Sequence, residues 1–311
     1  LNKARWIGFA CGLTAAVFYG ASFALTKYVQ GDNIHPLILG SLIYFSQGFV
    51  FSAVRLFSPP PPERRLARTD VKWLAAVAIF GGCFGPVLYL FGQEMVPAYL
   101  AALLAPTEIL FTSLIAVLFF RERLSGFEML AVALIIVGAA GVGLKFEDSA
   151  AQQSLYVGAL LLLASYLMWG VDNNCTTRIA QRDPLSIAIV KGWGGGLLSM
   201  VAGLSLGGAI PTDPKVLALI ALLGTVSFGL SFVIFVLSMR YLGASRSAAL
   251  FGTNPVFGVT LAWMWLREKP SAWALAGGAV ILAGVYLMLW AGSRKAASTT
   301  APPSGTEATP G

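Results

Sequence analysis

The sequence predicts an all-α polytopic membrane protein of ten transmembrane helices in two inverted five-helix repeats, with both termini cytoplasmic. Three observations predict it. The 311 residues are 57% hydrophobic and 11% charged, with a mean hydropathy of +0.76, whereas soluble domains carry about 25% charged residues. Apolar runs near the roughly 20 residues needed to cross a hydrocarbon core of about 30 Å recur along the chain. The second half also repeats the first at a spacing of about 146 residues. Ala105-Pro106-Thr107-Glu108 lies in a run ending at Arg121-Glu122-Arg123, followed by a run ending near Leu144. Phe251-Gly252-Thr253-Asn254 lies in a run ending at Arg267-Glu268-Lys269, followed by a run ending near Leu289. A fixed offset signals a duplicated unit, and an odd number of spans per unit makes the two copies cross the bilayer in opposite directions.

The first repeat, 1–146, holds spans at about 6–29, 36–57, 72–94, 98–120 and 124–145. The first run is too long for a signal-peptide core, lacks a small-residue cleavage site and leads straight into a second span, so it is read as retained. Pro59 to Pro62 and Glu63-Arg64-Arg65 form a stiff, basic connection to the third span, because consecutive prolines favour an extended polyproline conformation. Gly85-Pro86 in span three and Pro106 in span four are expected to bend their helices. The second repeat, 153–292, holds spans at about 155–177, 186–207, 216–240, 244–266 and 270–290, with Pro255 matching Pro106 as a second possible hinge. Static kinks are the competing reading for both prolines. The tail, 293–311, is rich in Ala, Ser, Thr and Pro and is expected to be disordered.

Charge sets the orientation. With the N-terminus inside, the inner segments hold most of the basic residues, including Arg64, Arg65, Arg68, Arg178, Arg182 and Arg240, while the outer side holds Lys27, Lys145, Lys215, Arg267 and Lys269. The positive-inside rule then places both termini in the cytoplasm. The formal charge of +7 is spread over short loops, so no nucleic-acid partner is expected. Expected partners are membrane lipid and a small-molecule substrate.

Several function classes lack their chemistry. No phosphate loop of the form GxxxxGK[ST] is present for ATP hydrolysis. The single histidine, His35, falls in an outer loop, so it cannot build a Ser-His-Asp or His-rich zinc site inside the membrane. Cys11, Cys83 and Cys175 lie in separate spans without metal or redox spacing. No cofactor or metal is expected, and an enzyme is poorly supported.

Helix periodicity picks out candidate cavity residues. Ala15, Tyr19, Ser22 and Thr26 share one face of span one, and Ser165, Trp169, Asp172 and Thr176 follow the same spacing in span six. Leu104, Glu108 and Phe111 in span four are matched by Leu250, Asn254 and Phe257 in span nine. Stripes recurring in both copies suggest a cavity between the repeats, near the midplane. Packing is the competing reading for the hydroxyls, which often bond back to their own helix. Glu108 stands out because an ionisable group at mid-membrane costs at least about 2.5 to 3.5 kcal/mol on insertion scales and persists where it meets a partner or a wet cavity. It could bind a substrate ammonium or carry a proton, against a structural, hydrogen-bonded glutamate. For Asp172, an interfacial cap competes with a binding role; for Lys191, snorkelling to the cytoplasm competes with a cavity role.

The mid-helix Ala105-Pro106-Thr107-Glu108 of the fourth span, the Arg121-Glu122-Arg123-Leu124 hairpin and the five-plus-five layout resemble the drug/metabolite transporter superfamily, with two EamA-type domains over nearly the whole chain. Within it, the aromatic lining looks like that of aromatic amino-acid exporters. The resemblance implies export of aromatic and other hydrophobic amino acids across a bacterial inner membrane by alternating access. Substrate-binding residues would be Tyr19, Ser22, Glu108, Trp169, Asp172 and Asn254. A multidrug exporter of lipophilic cations is the alternative within the class; an integral-membrane enzyme or a channel is the alternative outside it.

Overall fold

A computed structural model describes residues 3–58, 60, 65–120, 125–143, 150–179, 181–242 and 244–300. All regular structure among them is helical, with no strand. The chain runs through α1 (Lys3–Gln30), α2 (Pro36–Phe57), α3 (Val71–Ala76), a π-helical segment Val77–Phe84, α4 (Gly85–Met95), α5 (Ala98–Leu104), α6 (Thr107–Phe120) and α7 (Gly126–Gly143). It continues through α8 (Ala150–Arg178), α9 (Pro184–Ser205), α10 (Pro214–Leu222), a second π-helical segment Leu223–Leu230, α11 (Ser231–Leu242), α12 (Ala244–Phe251), α13 (Asn254–Met264) and α14 (Ala272–Thr300).

Eight of these helical stretches are long and apolar enough to cross a membrane, and Gly126–Val142 is a shorter apolar helix. The two expected spans outside these eight are the fifth, which is the shorter helix Gly126–Val142, and the ninth, which contains α12 and α13. Large apolar side chains such as Leu56, Phe57, Leu118 and Phe119 are more than 70% exposed, which suits lipid and not water. The chain is a multi-pass membrane protein. The last helix reaches Thr300, into the stretch expected to be disordered; Arg294-Lys295-Ala296-Ala297 is a run of good helix formers, and 301–311 lie outside the described residues.

The structure places the helix breaks and shows what satisfies them. Span four is interrupted at Ala105-Pro106, and the Thr107 hydroxyl donates to the carbonyl of Leu104 at 2.7 Å. Span nine is interrupted at Gly252-Thr253, and the Thr253 hydroxyl donates to the carbonyl of Leu250 at 2.6 Å. Pro255 is therefore not the break itself; it sits in the first turn of α13, where its missing N–H costs nothing. The bend expected at Gly85-Pro86 appears as the π-helical segment ending at Phe84, with Pro86 in the first turn of α4. The second π-helical segment stands at the matching position without any proline.

Packing relates the halves residue by residue. α2 packs on α9 and α7 on α14; α4 packs on α8 as α11 packs on α1, and α6 on α8 as α13 on α1. A Cβ on Gly138 would strike Ile281 and the carbonyl of Gly277, and one on Gly284 would strike Ile135 and the carbonyl of Ala131. Exchanging the halves turns one set into the other. Ser165 donates to the carbonyl of Gly85 at 2.8 Å, and Ser231, the counterpart of Gly85, donates to the carbonyl of Ala15, the counterpart of Ser165, at 2.9 Å.

The relation fails at one end. α5 packs against α1 and α13. Among the described residues, the counterpart α12 does not pack to a comparable extent against α8 or α6. The α5 end is also tied by Glu268, whose carboxylate accepts the backbone N–H groups of Ala98 at 2.9 Å and Tyr99 at 3.0 Å. Arg267 holds a left-handed φ of 59°, uncommon outside glycine and costing about 1 to 2 kcal/mol. The next N–H, of Glu268, returns to the carbonyl of Ala262 at 3.2 Å. Among the described residues, the helices are thus more closely packed where α1 and α4 end than where α8 ends.

Candidate functional site

Between the halves lies an aromatic layer. Tyr19 on α1 meets Phe23 and Phe228 edge-on at 5.7 and 5.9 Å and tilts against Phe251 at 5.2 Å. Across from it, Trp169 on α8 lies 5.5 Å from Tyr89 and 5.8 Å from Tyr166. Tyr166 is fixed by its hydroxyl, which donates to the carbonyl of Ala101 at 2.8 Å. The Gly81 carbonyl, inside the π-helical segment, accepts from the Tyr44 hydroxyl at 2.9 Å and from the Trp169 indole N–H at 3.3 Å. Widened turns leave carbonyls in need of side-chain donors and recur at functional sites.

Beside this layer stand the charged groups. Glu108, near the start of α6, accepts from the Asn173 side-chain amide at 2.7 Å. Asn173 also reaches the Thr112 hydroxyl at 3.3 Å, and Asn174 donates to the carbonyl of Thr112 at 3.0 Å. Asp172 is buried and pairs with Lys191 at 2.5 Å. It lies against Gly81, where a Cβ would fall 2.2 Å from its carboxylate, so the glycine is what admits the acid. Glu108 and Tyr44 are within electrostatic range of Lys191. Glu108, Thr112, Asn173 and Lys191 are only half-buried, on the looser side of the molecule.

The six residues singled out from the sequence do not all share one arrangement. Tyr19, Glu108, Trp169 and Asp172 converge on the centre. Asp172 is an ion-pair partner inside the protein and not an interfacial cap, and Lys191 turns inward to it instead of snorkelling. Ser22 is buried and spends its hydroxyl on the Tyr19 carbonyl at 2.6 Å, the back-bonding expected of a mid-helix serine. Asn254 sits on the α1 side: its amide donates to the Phe251 carbonyl at 2.8 Å, and its Oδ1 is buried without a partner. Tyr44, Tyr89, Tyr166, Asn173 and Thr112 also belong to the centre. Tyr166 stands at the middle of its expected span, 155–177, far from the interfacial belts where Tyr and Trp collect. Two open hollows, lined by Trp263, Met264, Arg267 and Lys269 and by Val259, Thr260, Trp263, Lys269, Pro270 and Leu275, lie near the end of α13, away from these groups. Among the described residues no cluster of three or more His, Cys, Asp or Glu side chains is placed to hold a metal.

The sequence and the fold have relatives. The sequence pattern of the EamA-like transporter family matches residues 6–144 and again 156–290. The chain is 29% identical to an uncharacterised transporter of Methanothermobacter thermautotrophicus over 301 residues, covering 93% of this chain and 88% of the relative. It is 28% identical to a probable terminal-alkyne amino-acid exporter of Streptantibioticus cattleyicolor, covering 96% and 98%. It is also 28% identical to a probable amino-acid metabolite efflux pump of Salmonella typhimurium, covering 88% and 92%. A crystal structure that is 18% identical superposes with a TM-score of 0.65 over 93% of this chain and 98% of the other, a likeness of fold alone. With the family pattern matched in both halves, over most of its length, the chain belongs to the EamA-like transporter family of the drug/metabolite transporter superfamily.

Proposed function

We propose that this transporter exports amino acids with aromatic or large apolar side chains across the bacterial inner membrane, by alternating access between two inverted five-helix repeats of ten spans in all. The observation that carries the reading is the juxtaposition of an aromatic layer, Tyr19, Tyr89, Tyr166 and Trp169, with carboxylates and an ammonium, Glu108, Asp172 and Lys191. An aromatic side chain stacked in that layer gains about 0.5 to 1.5 kcal/mol per ring contact beyond area burial. An amino acid presents one positive and one negative group to the remaining charges: the Glu108 carboxylate attracts the ammonium, and Lys191 attracts the carboxylate when the substrate competes for its pair with Asp172. Relatives named as amino-acid exporters support the class of substrate.

The broken relation between the halves supports the cycle. With both termini cytoplasmic, α8 ends on the cytoplasmic side, so the looser end faces in. The opposite state follows by exchanging the two ends: α5 loosens from α1 and α13, and α12 closes on α8 and α6. The repeats provide equivalent contacts for both, so the two states need differ by little in free energy.

Liposomes loaded with labelled phenylalanine test the reading. Efflux from the parent, reduced at least tenfold by Glu108→Gln and by Trp169→Ala with unchanged melting, is expected. An absence of substrate-dependent efflux from the parent overturns it, and efflux of cationic dyes in place of amino acids assigns the centre to lipophilic cations.

A further inference from the structure

The turn between α13 and α14 carries two cations whose intervening acid is spent elsewhere. Arg267 and Lys269 are both exposed, and among the described residues neither forms a salt bridge. The Glu268 carboxylate between them is committed to the backbone N–H groups of Ala98 and Tyr99 at 2.9 and 3.0 Å. In the orientation proposed above this is an outer turn. The other outer cations each have an acid near in sequence: Lys27 has Asp32, Lys145 has Glu147 and Asp148, and Lys215 has Asp213. Two cations in one turn are what the positive-inside rule disfavours on that side. Arg267 is held there in the left-handed region, at φ 59°, which is uncommon for a residue other than glycine.

Both cations line one hollow of about 330 Å³ with Trp263 and Met264. A second, of about 320 Å³, shares Trp263 and Lys269 and continues along Val259, Thr260 and Leu275. Val259, Thr260, Trp263 and Met264 are spaced by three and four and form one stripe of α13. The two hollows therefore join into a groove that starts at the charged turn and runs along the helix. The neighbouring Trp265 stacks on Tyr28 of α1 at 5.0 Å, whereas Trp263 is given to the groove. The walls are apolar and exposed, Trp263 at 59% and Leu275 at 45%. The turn stands just before the membrane-crossing stretch Ala272–Gly292, at the level where lipid headgroups and tryptophans meet. A soluble anion would leave the apolar length unused, and a zwitterionic lipid would set its own cation beside Arg267 and Lys269. We propose that this groove binds an anionic phospholipid, with its phosphate between Arg267 and Lys269 and an acyl chain against Trp263, Val259 and Leu275. Arginine offers a planar fork that matches phosphate oxygens, and lysine adds a point charge.

Native mass spectrometry of the purified full-length protein, with phosphatidylglycerol or phosphatidylcholine of the same acyl chains added in detergent, tests the site. The parent should retain phosphatidylglycerol at least tenfold more tightly. Arg267→Gln with Lys269→Gln should abolish that preference at an unchanged melting temperature, and Lys215→Gln, at another outer turn, should keep it. Where Arg267→Gln disturbs its turn, Lys269→Gln alone should still weaken phosphatidylglycerol at least threefold. Equal retention of the two lipids by the parent, or phosphatidylglycerol affinity unchanged in both variants of this turn, overturns the proposal. Displacement of phosphatidylglycerol by millimolar inorganic phosphate overturns it too, because the anion would then bind without the groove. Binding is read without transport, so failure of amino-acid export leaves the site standing, and loss of the site leaves the export reading standing.

Discussion

Lys191 on α9 donates to the Asp172 carboxylate on α8 at 2.5 Å, joining two helices of the second half beside Gly81 of the first. A pair like this is costly to break from one side, because the remaining charge is left buried. Lys191→Met should lower stability by about 3 kcal/mol, and the double variant Lys191→Met with Asp172→Asn should recover most of it. Thermal unfolding in detergent distinguishes the outcomes. A double variant no more stable than the single would show that the lysine stem, and not its charge, does the packing.

Glu268 acts on a helix terminus. Its carboxylate satisfies two N–H groups at the start of α5, and losing a cap of this kind costs about 0.5 to 2 kcal/mol. Glu268→Ala should speed amide exchange at Ala98 and Tyr99 and leave exchange within α7 unaltered, read by hydrogen-exchange mass spectrometry. Because the contact lies at the closed end, the same variant should also increase labelling of a cysteine placed at Thr26.

The seam between α7 and α14 is a backbone contact. Cβ atoms on Gly138 and Gly284 would come within 2.7 and 2.8 Å of the facing helix. Gly138→Leu and Gly284→Leu should each destabilise by about 1 to 3 kcal/mol, the usual range for overpacking. Gly126, with nothing within 4 Å of its would-be Cβ, is the control: Gly126→Ala should leave the melting temperature within about a degree of the parent, a shift matching about 0.5 kcal/mol or less.

Opposed orientation of the repeats has its own readout. In a background lacking Cys11, Cys83 and Cys175, Arg121→Cys should be labelled by an impermeant thiol reagent only from the cytoplasmic side and Arg267→Cys only from the outside. Labelling from the same side would remove the inverted arrangement.

Hydropathy makes most spans legible because lipid demands about 20 apolar residues in a row, and Pro106 reads correctly as the break in span four, which lies at Ala105-Pro106. Pro255 was a less faithful guide: it reads as the site of a break that lies at Gly252-Thr253, since the first turn of a helix tolerates proline well. Of the centre, Tyr19, Glu108 and Trp169 were readable because an ionisable or amphipathic side chain at mid-span is unusual. The direction of Lys191 was not, because a lysine near a helix end can snorkel or turn inward at similar cost, and its partner lies on another helix. Gln93 and Tyr89 were hidden for the same reason: they face α1 across a contact that no local pattern encodes.

The two widened turns, Val77–Phe84 and Leu223–Leu230, carry a consequence for everything C-terminal to them. Each accommodates about one residue more than a regular helix of the same length, which swings the remainder of its rod by on the order of 100° about its axis. The compass bearing of Tyr89 and Gln93 towards α1, and of Ser231 towards Ala15, is therefore set several residues upstream. Deleting a single residue from either stretch would leave the composition of the rod intact and aim its polar edge at lipid.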